Sequence, residues 1–176
     1  MRGKAAAGQA IFLTGFMGSG KTTVGRLLAH LAGYDFLDLD DLIVMRAGKS
    51  IDDIFVESGE DEFRRLERAA VASLRSLART VVALGGGTYT FASNREQIRL
   101  IGKTVWLDCP FDLCLSRIED DGSRPLLRKK ESLRSLFDER RNSYRLADYA
   151  FNIGGESPDE VAHSIAIMLK SKGRLE

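Results

Sequence analysis

The stretch "FLTGFMGSGKTTVGRLL", residues 12–28, decides the fold. An apolar run breaks into glycines at 15, 18 and 20, then into Lys21, Thr22 and Thr23. Apolar residues return at Val24, Leu27, Leu28 and Leu31, the i, i+3, i+4, i+7 spacing of one helix face, with a stop near Gly33. The preceding "AIFLTGF" has the length and composition of a short buried strand. Between strand and helix, Gly15-x-x-x-x-Gly20-Lys21-Thr22 is the phosphate-binding P-loop pattern. Glycine permits positive φ and lets the backbone approach an anion closely. The loop N–H groups and the N-terminus of the following helix then form a cradle for phosphate. Lys21 would reach the β- and γ-phosphates, and the Thr22 hydroxyl would ligate Mg²⁺. The expected ligand is ATP with Mg²⁺, held by Gly18, Ser19, Gly20, Lys21, Thr22 and Thr23.

The remaining composition is that of one soluble domain. The 176 residues are long enough to bury a core, with 44% hydrophobic and 29% charged residues. A net charge of +1 gives no reason to expect nucleic acid or an anionic membrane as partner. No apolar run approaches the length of a membrane-spanning helix. Residues 1–9, "MRGKAAAGQ", imitate a targeting segment, but the apolar run after them leads directly into the P-loop, and we read them as a lead-in. Cys109 and Cys114 lack the spacing and companion histidines of a zinc site and read as free thiols of a cytoplasmic protein. His30 and His163 read as structural.

Strands and helices alternate along the rest of the chain. "YDFLDLD" (34–40), "TVVALGGG" (80–87), "TVWLDC" (104–109) and "YAFNIG" (149–154) read as further strands. Helices are expected from "DLIVMRAG", stopped at Gly48, from Ser50 as an N-cap, over 60–78, and from a Ser93/Glu96 capping box to Gly102. Two more follow, "PFDLCLSRIED" and a closing helix with Ser157 at the N-cap, Pro158 at N1 and Glu160 at N3. Five strands alternating with helices predict an α/β fold of three layers, a parallel sheet covered on both faces, with ligands at the carboxyl ends of the strands. The charged stretch 119–132, "EDDGSRPLLRKKES", fits either a solvated connection or a lid carrying Arg124 over the phosphates.

Phosphoryl transfer also needs a carboxylate near the metal, positive charge on the moving group and an acceptor pocket. Asp108 closes a Walker-B-like strand, whereas Asp38 and Asp40 stand as alternate residues at a strand end, pointing to one face. Gly85, Gly86 and Gly87 can present backbone N–H groups to an anion. Arg64, three residues before Glu67, and Arg140 or Arg141 are candidates for bidentate recognition of a carboxylate or phosphate. From the residues alone, the chain is a small ATP-using transferase for a compact, anionic acceptor.

Taken in order, "GFMGSGKTT", "FLDLDDLI", "GKSIDDIFVESGEDEFRRLE", "LGGG", "SRPLL" and "RRNSYRLAD" resemble the shikimate kinase family almost end to end. The resemblance implies a P-loop kinase fold over 1–176, an acceptor-binding region at about 40–78 and a lid at about 119–132. It implies transfer from ATP to shikimate, giving 3-phosphoshikimate on the way to chorismate and the aromatic amino acids. By that resemblance Thr22 and Asp38 hold Mg²⁺, Asp38 through water. Asp40 hydrogen-bonds the acceptor hydroxyls and orients or deprotonates the attacking one. Arg64 and Arg140 clamp the shikimate carboxylate beside Gly86 and Gly87, Phe63 lines the pocket, and Glu67 holds Arg64. Arg124 reaches the phosphates, and Arg117 lies against adenine near Pro158. Asp108 becomes a supporting residue. Where the family often reads R-x-P-L-Y, this chain has Arg140-Arg141-Asn142-Ser143-Tyr144; counting back from the tyrosine selects Arg140, with Arg141 the alternative. The family also implies a monomer. Kinases of gluconate or another small hydroxy acid, and a non-catalytic nucleotide-binding module, are the competing readings.

Overall fold

The computed structural model describes residues 9–121 and 130–175. Residues 1–8 of the expected lead-in and most of the expected lid, with Arg124, lie outside the described residues.

The strands are β1 (Ala10–Thr14), β2 (Asp35–Asp38), β3 (Thr80–Ala83), β4 (Gly102–Asp108) and β5 (Tyr149–Asn152). They form one sheet in the order β2-β3-β1-β4-β5, with every pairing parallel. The helices are α1 (Lys21–Ala32), α2 (Leu39–Ala47), α3 (Ile51–Ser73), α4 (Ala92–Ile101), α5 (Phe111–Asp121), α6 (Lys130–Tyr144) and α7 (Pro158–Ser171). Strands β1 and β3 are buried along their whole length, as a doubly covered parallel sheet requires. The core runs through Ile11, Phe12, Leu13, Val81, Val82, Val105 and Leu107. No helix among the described residues is long and apolar enough to cross a membrane.

The strand order places the site. Right-handed crossovers send the chain from β1 toward the β2 edge over one face, and from β3 and β4 toward the β5 edge over the other. Helices α1 and α7 pack together, as do α3 and α4. The loops after β1 and β3, neighbours in the sheet, therefore part to opposite faces, and the crevice between them is where α/β folds bind ligands. The P-loop and the triple glycine are those two loops.

Several expectations need correction. The buried side of α1 is Val24, Gly25, Leu28 and Ala29, whereas Leu31 is exposed. Gly25 lets the helix lie close on Leu13 and Phe36, so the stripe rotates toward it. Strand β2 ends at Asp38, and Asp40 lies in the first turn of α2, so the two aspartates do not alternate on one strand face. The reason is local: Asp38 caps α2 by accepting from the Asp40 N–H at 3.0 Å. Helix α3 begins at Ile51 behind its Ser50 cap and is broken at Gly59, where φ is 78° and ψ is 179°. The Ser93/Glu96 capping box is absent. Helix α4 starts earlier, at Ala92, with Phe91 as N-cap, and Asn94 Nδ2 donates to the Thr88 carbonyl at 3.1 Å. The box at Ser157 and Glu160, with Pro158 at N1, is present.

Candidate active site

Strand β1 leads into the P-loop, and α1 leaves it with Gly20 as its N-cap. Gly15, Gly18 and Gly20 all take positive φ (147°, 74° and 91°), the conformational reason for glycine at these three positions. The buried Ser19 donates its backbone N–H to the Phe16 carbonyl at 3.2 Å, tightening the turn. Lys21 folds over the loop, its Nζ 2.9 Å from both the Gly15 and Phe16 carbonyl oxygens. This fixes the ammonium at the loop's mouth. Thr23 is exposed on the first turn of α1.

Thr22 and Asp38 meet across the crevice. The Thr22 hydroxyl donates to Asp38 Oδ2 at 2.7 Å while Asp38 Oδ1 caps α2. One carboxylate thus links the P-loop helix to the helix that carries Asp40. The pair is all oxygen, the donor chemistry a hard cation such as Mg²⁺ takes. The described residues hold no cluster of three or more His, Cys, Asp or Glu side chains able to bind a metal by themselves.

Asp40 packs its Oδ1 against Gly85, where a Cβ would come within 2.7 Å of it and 3.0 Å of Thr88 Oγ1. The triple glycine is narrow for a second reason. A Cβ on Gly87 would lie 2.9 and 3.0 Å from Arg64 Nη1 and Nη2, and one on Gly86 would lie 3.4 Å from Arg140 Nη1. Two guanidiniums from α3 and α6 therefore converge on Gly86 and Gly87, beside the P-loop.

Arg64 is held on all sides. Its Nη1 donates to both oxygens of Glu67 at 3.2 Å, and Glu67, buried, also accepts from Thr88 Oγ1 at 2.7 Å. Its Nε and Nη2 donate to Glu60 Oε1 at 3.2 and 3.1 Å. The rings of Phe63 and Phe91 lie 5.1 and 5.0 Å from its guanidinium carbon, one cation–π contact each. Phe63 is itself buried against Phe55, their centroids 4.8 Å apart.

Arg140 and Arg141 part company. Arg141 Nη2 pairs with both Asp108 oxygens at 3.0 and 2.8 Å and lies over Trp106 and Phe137. It faces a cavity of about 440 Å³ at the carboxyl ends of β4 and β5, lined also by Phe111, Arg134 and Ile153, to which neither the P-loop nor the triple glycine contributes. Asp108 is thus engaged by Arg141. One turn beyond Arg140, the buried Tyr144 hydroxyl donates to the Gly86 carbonyl at 2.5 Å. Burial pushes that phenol up to about 12, although the Arg140 guanidinium draws it down.

Arg117 reaches the P-loop from α5, its Nη1 3.3 Å from the Gly18 carbonyl and 3.9 Å from Cys109 Sγ. The Cys109 thiol is drawn below the ordinary thiol value by a hydrogen bond from Cys114 and, against its burial, by the charges of Arg117 and Lys21. Both cysteines are free and buried. Pro158 opens α7 and is exposed. Phe91, Thr88 and Tyr144 belong to the cluster without having been singled out for it from sequence. Each acts through a loop closure across the fold, and only the spacing of Tyr144 from Arg140 gave any signal.

A family model described as shikimate kinase matches residues 17–170. A shikimate kinase of Geobacter sulfurreducens is 44% identical over 166 residues, covering 93% of this chain and 92% of the relative. Among solved structures, a shikimate kinase from Acinetobacter baumannii in complex with shikimate superposes with a TM-score of 0.87 at 39% identity, covering 93% of this chain and 94% of that one. The enzyme of Aquifex aeolicus gives 0.83 at 36% identity, covering 93% and 98%.

Proposed function

We infer the roles below from one premise: the chain belongs to the shikimate kinase family. It is a kinase that phosphorylates shikimate with ATP, in aromatic amino-acid biosynthesis. The observation that carries the residue assignment is the convergence of Arg64 and Arg140 on Gly86 and Gly87 beside the P-loop.

In our reading the shikimate carboxylate sits between the two guanidiniums and against the Gly86–Gly87 backbone, with Phe63 behind Arg64. This turns the ring hydroxyls toward Asp40. Its carboxylate accepts from the attacking hydroxyl, holds it in line and takes its proton as the new O–P bond forms and the bond to the β-phosphate breaks, giving 3-phosphoshikimate and ADP. Lys21 and the loop N–H groups from Gly18 to Thr23 offset charge on the β- and γ-phosphates, and Arg117 covers the adenine. Thr22 and Asp38 would hold Mg²⁺, which when bound neutralises charge on the phosphates. Positioning and electrostatics account for the catalysis, since a loose phosphoryl transition state asks little covalent chemistry of the protein. We assign the acceptor clamp to Arg140 because Arg141 is committed to Asp108. We also propose a cytoplasmic monomer that needs neither nucleic acid nor membrane; light scattering of the purified chain tests the monomer.

The deciding experiment is ADP release with Mg²⁺ and ATP, comparing shikimate, gluconate, AMP and no acceptor. Shikimate-dependent release with a phosphorylated product is expected. Release with gluconate alone would transfer the arginine and glycine assignments to a different acid.

A further inference from the structure

The two edges of the Arg64 guanidinium have unlike partners. The Nη1 edge meets Glu67, which is 1% exposed and is fixed again by the Thr88 hydroxyl. The rings of Phe63 and Phe91 lie against the guanidinium. These contacts are part of the packed interior. The Nε/Nη2 edge is the fork that suits a planar carboxylate, two N–H groups pointing the same way. Among the described residues it is met by a single oxygen, Glu60 Oε1, at 3.2 and 3.1 Å. Glu60 is 65% exposed, against 14% for Arg64, and follows directly on the break at Gly59. A buried pair is costly to break, whereas an exposed i,i+4 pair contributes little.

We propose that Glu60 is a tethered counter-anion on Arg64 that an incoming carboxylate must displace. In the unliganded protein it neutralises the fork, whose Nη2 would lie 3.0 Å from a Cβ on Gly87, the neighbour of the Gly86 that Arg140 approaches. A ligand that offers only one weak anionic contact does not outcompete a carboxylate already attached to the helix. An acceptor whose carboxylate engages the Arg64 fork and Arg140 together does. Glu60 thereby raises the threshold for anion binding without touching the transferred group. This inference rests on the assignment of the acceptor carboxylate to Arg64.

The test compares steady-state kinetics of the wild type, Glu60→Gln and Arg64→Ala with shikimate and with its methyl ester, which lacks the charge. Glutamine keeps the size and one weak acceptor but removes the competing charge. The expected result is a fall of about twofold to fivefold in the shikimate KM of Glu60→Gln, the size of one exposed ion pair, appearing in KM rather than as a rise in kcat. The methyl ester should show no such fall. Inhibition by cyclohexanecarboxylate, a carboxylate without a hydroxyl to phosphorylate, should strengthen by a similar factor. An unchanged or raised KM for shikimate in Glu60→Gln, with Arg64→Ala still raising it, overturns the proposal and leaves Arg64 in the site. If Arg64→Ala also leaves the KM unchanged, the placement of the carboxylate itself falls.

Discussion

Arg141 and Asp108 are joined by two contacts from one nitrogen, Nη2 at 3.0 and 2.8 Å from the two carboxylate oxygens, while the adjacent Arg140 points to Gly86. In the proposed reading, neighbours in sequence are thereby split between a structural and a binding task. Arg141→Ala should lower stability by about 2 kcal/mol, because Asp108 loses a charged donor. Arg140→Ala should leave the urea midpoint near the wild-type value and raise the shikimate KM tenfold or more. Urea unfolding and steady-state kinetics on both variants check this, and the opposite pattern would exchange the roles.

Lys21→Ala should abolish turnover in a protein that still unfolds cooperatively. Two of its Nζ contacts are to carbonyls of its own loop, whereas the charge it would bring to the phosphates has no substitute on that loop. Circular dichroism melts and an ADP-release assay separate the two. Substantial residual turnover would remove Lys21 from the phosphate site.

Glu67 ties α3 to the turn after β3, since one buried carboxylate serves Arg64 and Thr88. Glu67→Ala should cost about 3 kcal/mol, the order expected when a buried pair loses one partner. Glu67→Gln should cost less and still raise the shikimate KM, because Arg64 is then held by a neutral group. An equal KM in wild type and Glu67→Gln would show that Arg64 needs no such anchor.

The P-loop, its strand and its helix were legible because the chemistry is local: glycine, lysine and threonine at fixed offsets can fold only a few ways. The same holds for the Ser157 cap and for Glu67 three residues after Arg64. The pairing of Asp38 with Thr22 was legible only through the family resemblance and not from the residues themselves, since it depends on β2 lying two strands from β1, with β3 between. Asp40 was misread as a strand residue because "FLDLDD" alternates cleanly, yet the Asp38 side chain starts a helix one residue later. Phe91 carried no signal at all. Its value comes from lying over an arginine from a different helix.

Asp148 should make the stability of the β4–β5 edge depend on acid. It accepts from Lys103 Nζ at 2.8 Å and from the Thr104 N–H and hydroxyl at 2.9 Å each. Burial raises its carboxyl, but these three contacts outweigh it and hold the group below its usual 3.8. A folded value below the unfolded one adds stability that is present above about pH 3.8 and is lost as the pH falls through the folded value. Asp148→Asn should be less stable than wild type at pH 7, with the gap closing below pH 3.8. Urea unfolding across that range is the check, and a gap independent of pH would contradict it.

Tyr144 should do the same at the alkaline end, and it links stability to the proposed acceptor site. Its hydroxyl, pushed up to about 12 from 10.0 chiefly by burial, donates to the Gly86 carbonyl. A folded value above the unfolded one contributes stability that is complete below pH 10 and is lost as the pH rises to about 12. Tyr144→Phe keeps the ring beside Trp106 but leaves the Gly86 carbonyl without this donor, a loss of about 1–2 kcal/mol at pH 8. Between pH 8 and pH 11 the wild type should lose more stability than the variant, because the variant no longer carries this titration. The shikimate KM of Tyr144→Phe should rise at pH 8, since the hydroxyl holds the Gly86 carbonyl and lies close enough to Arg140 for the guanidinium to act on it. Equal alkaline losses in the two proteins would place the titrating groups elsewhere. An unchanged KM would free the triple glycine from Tyr144.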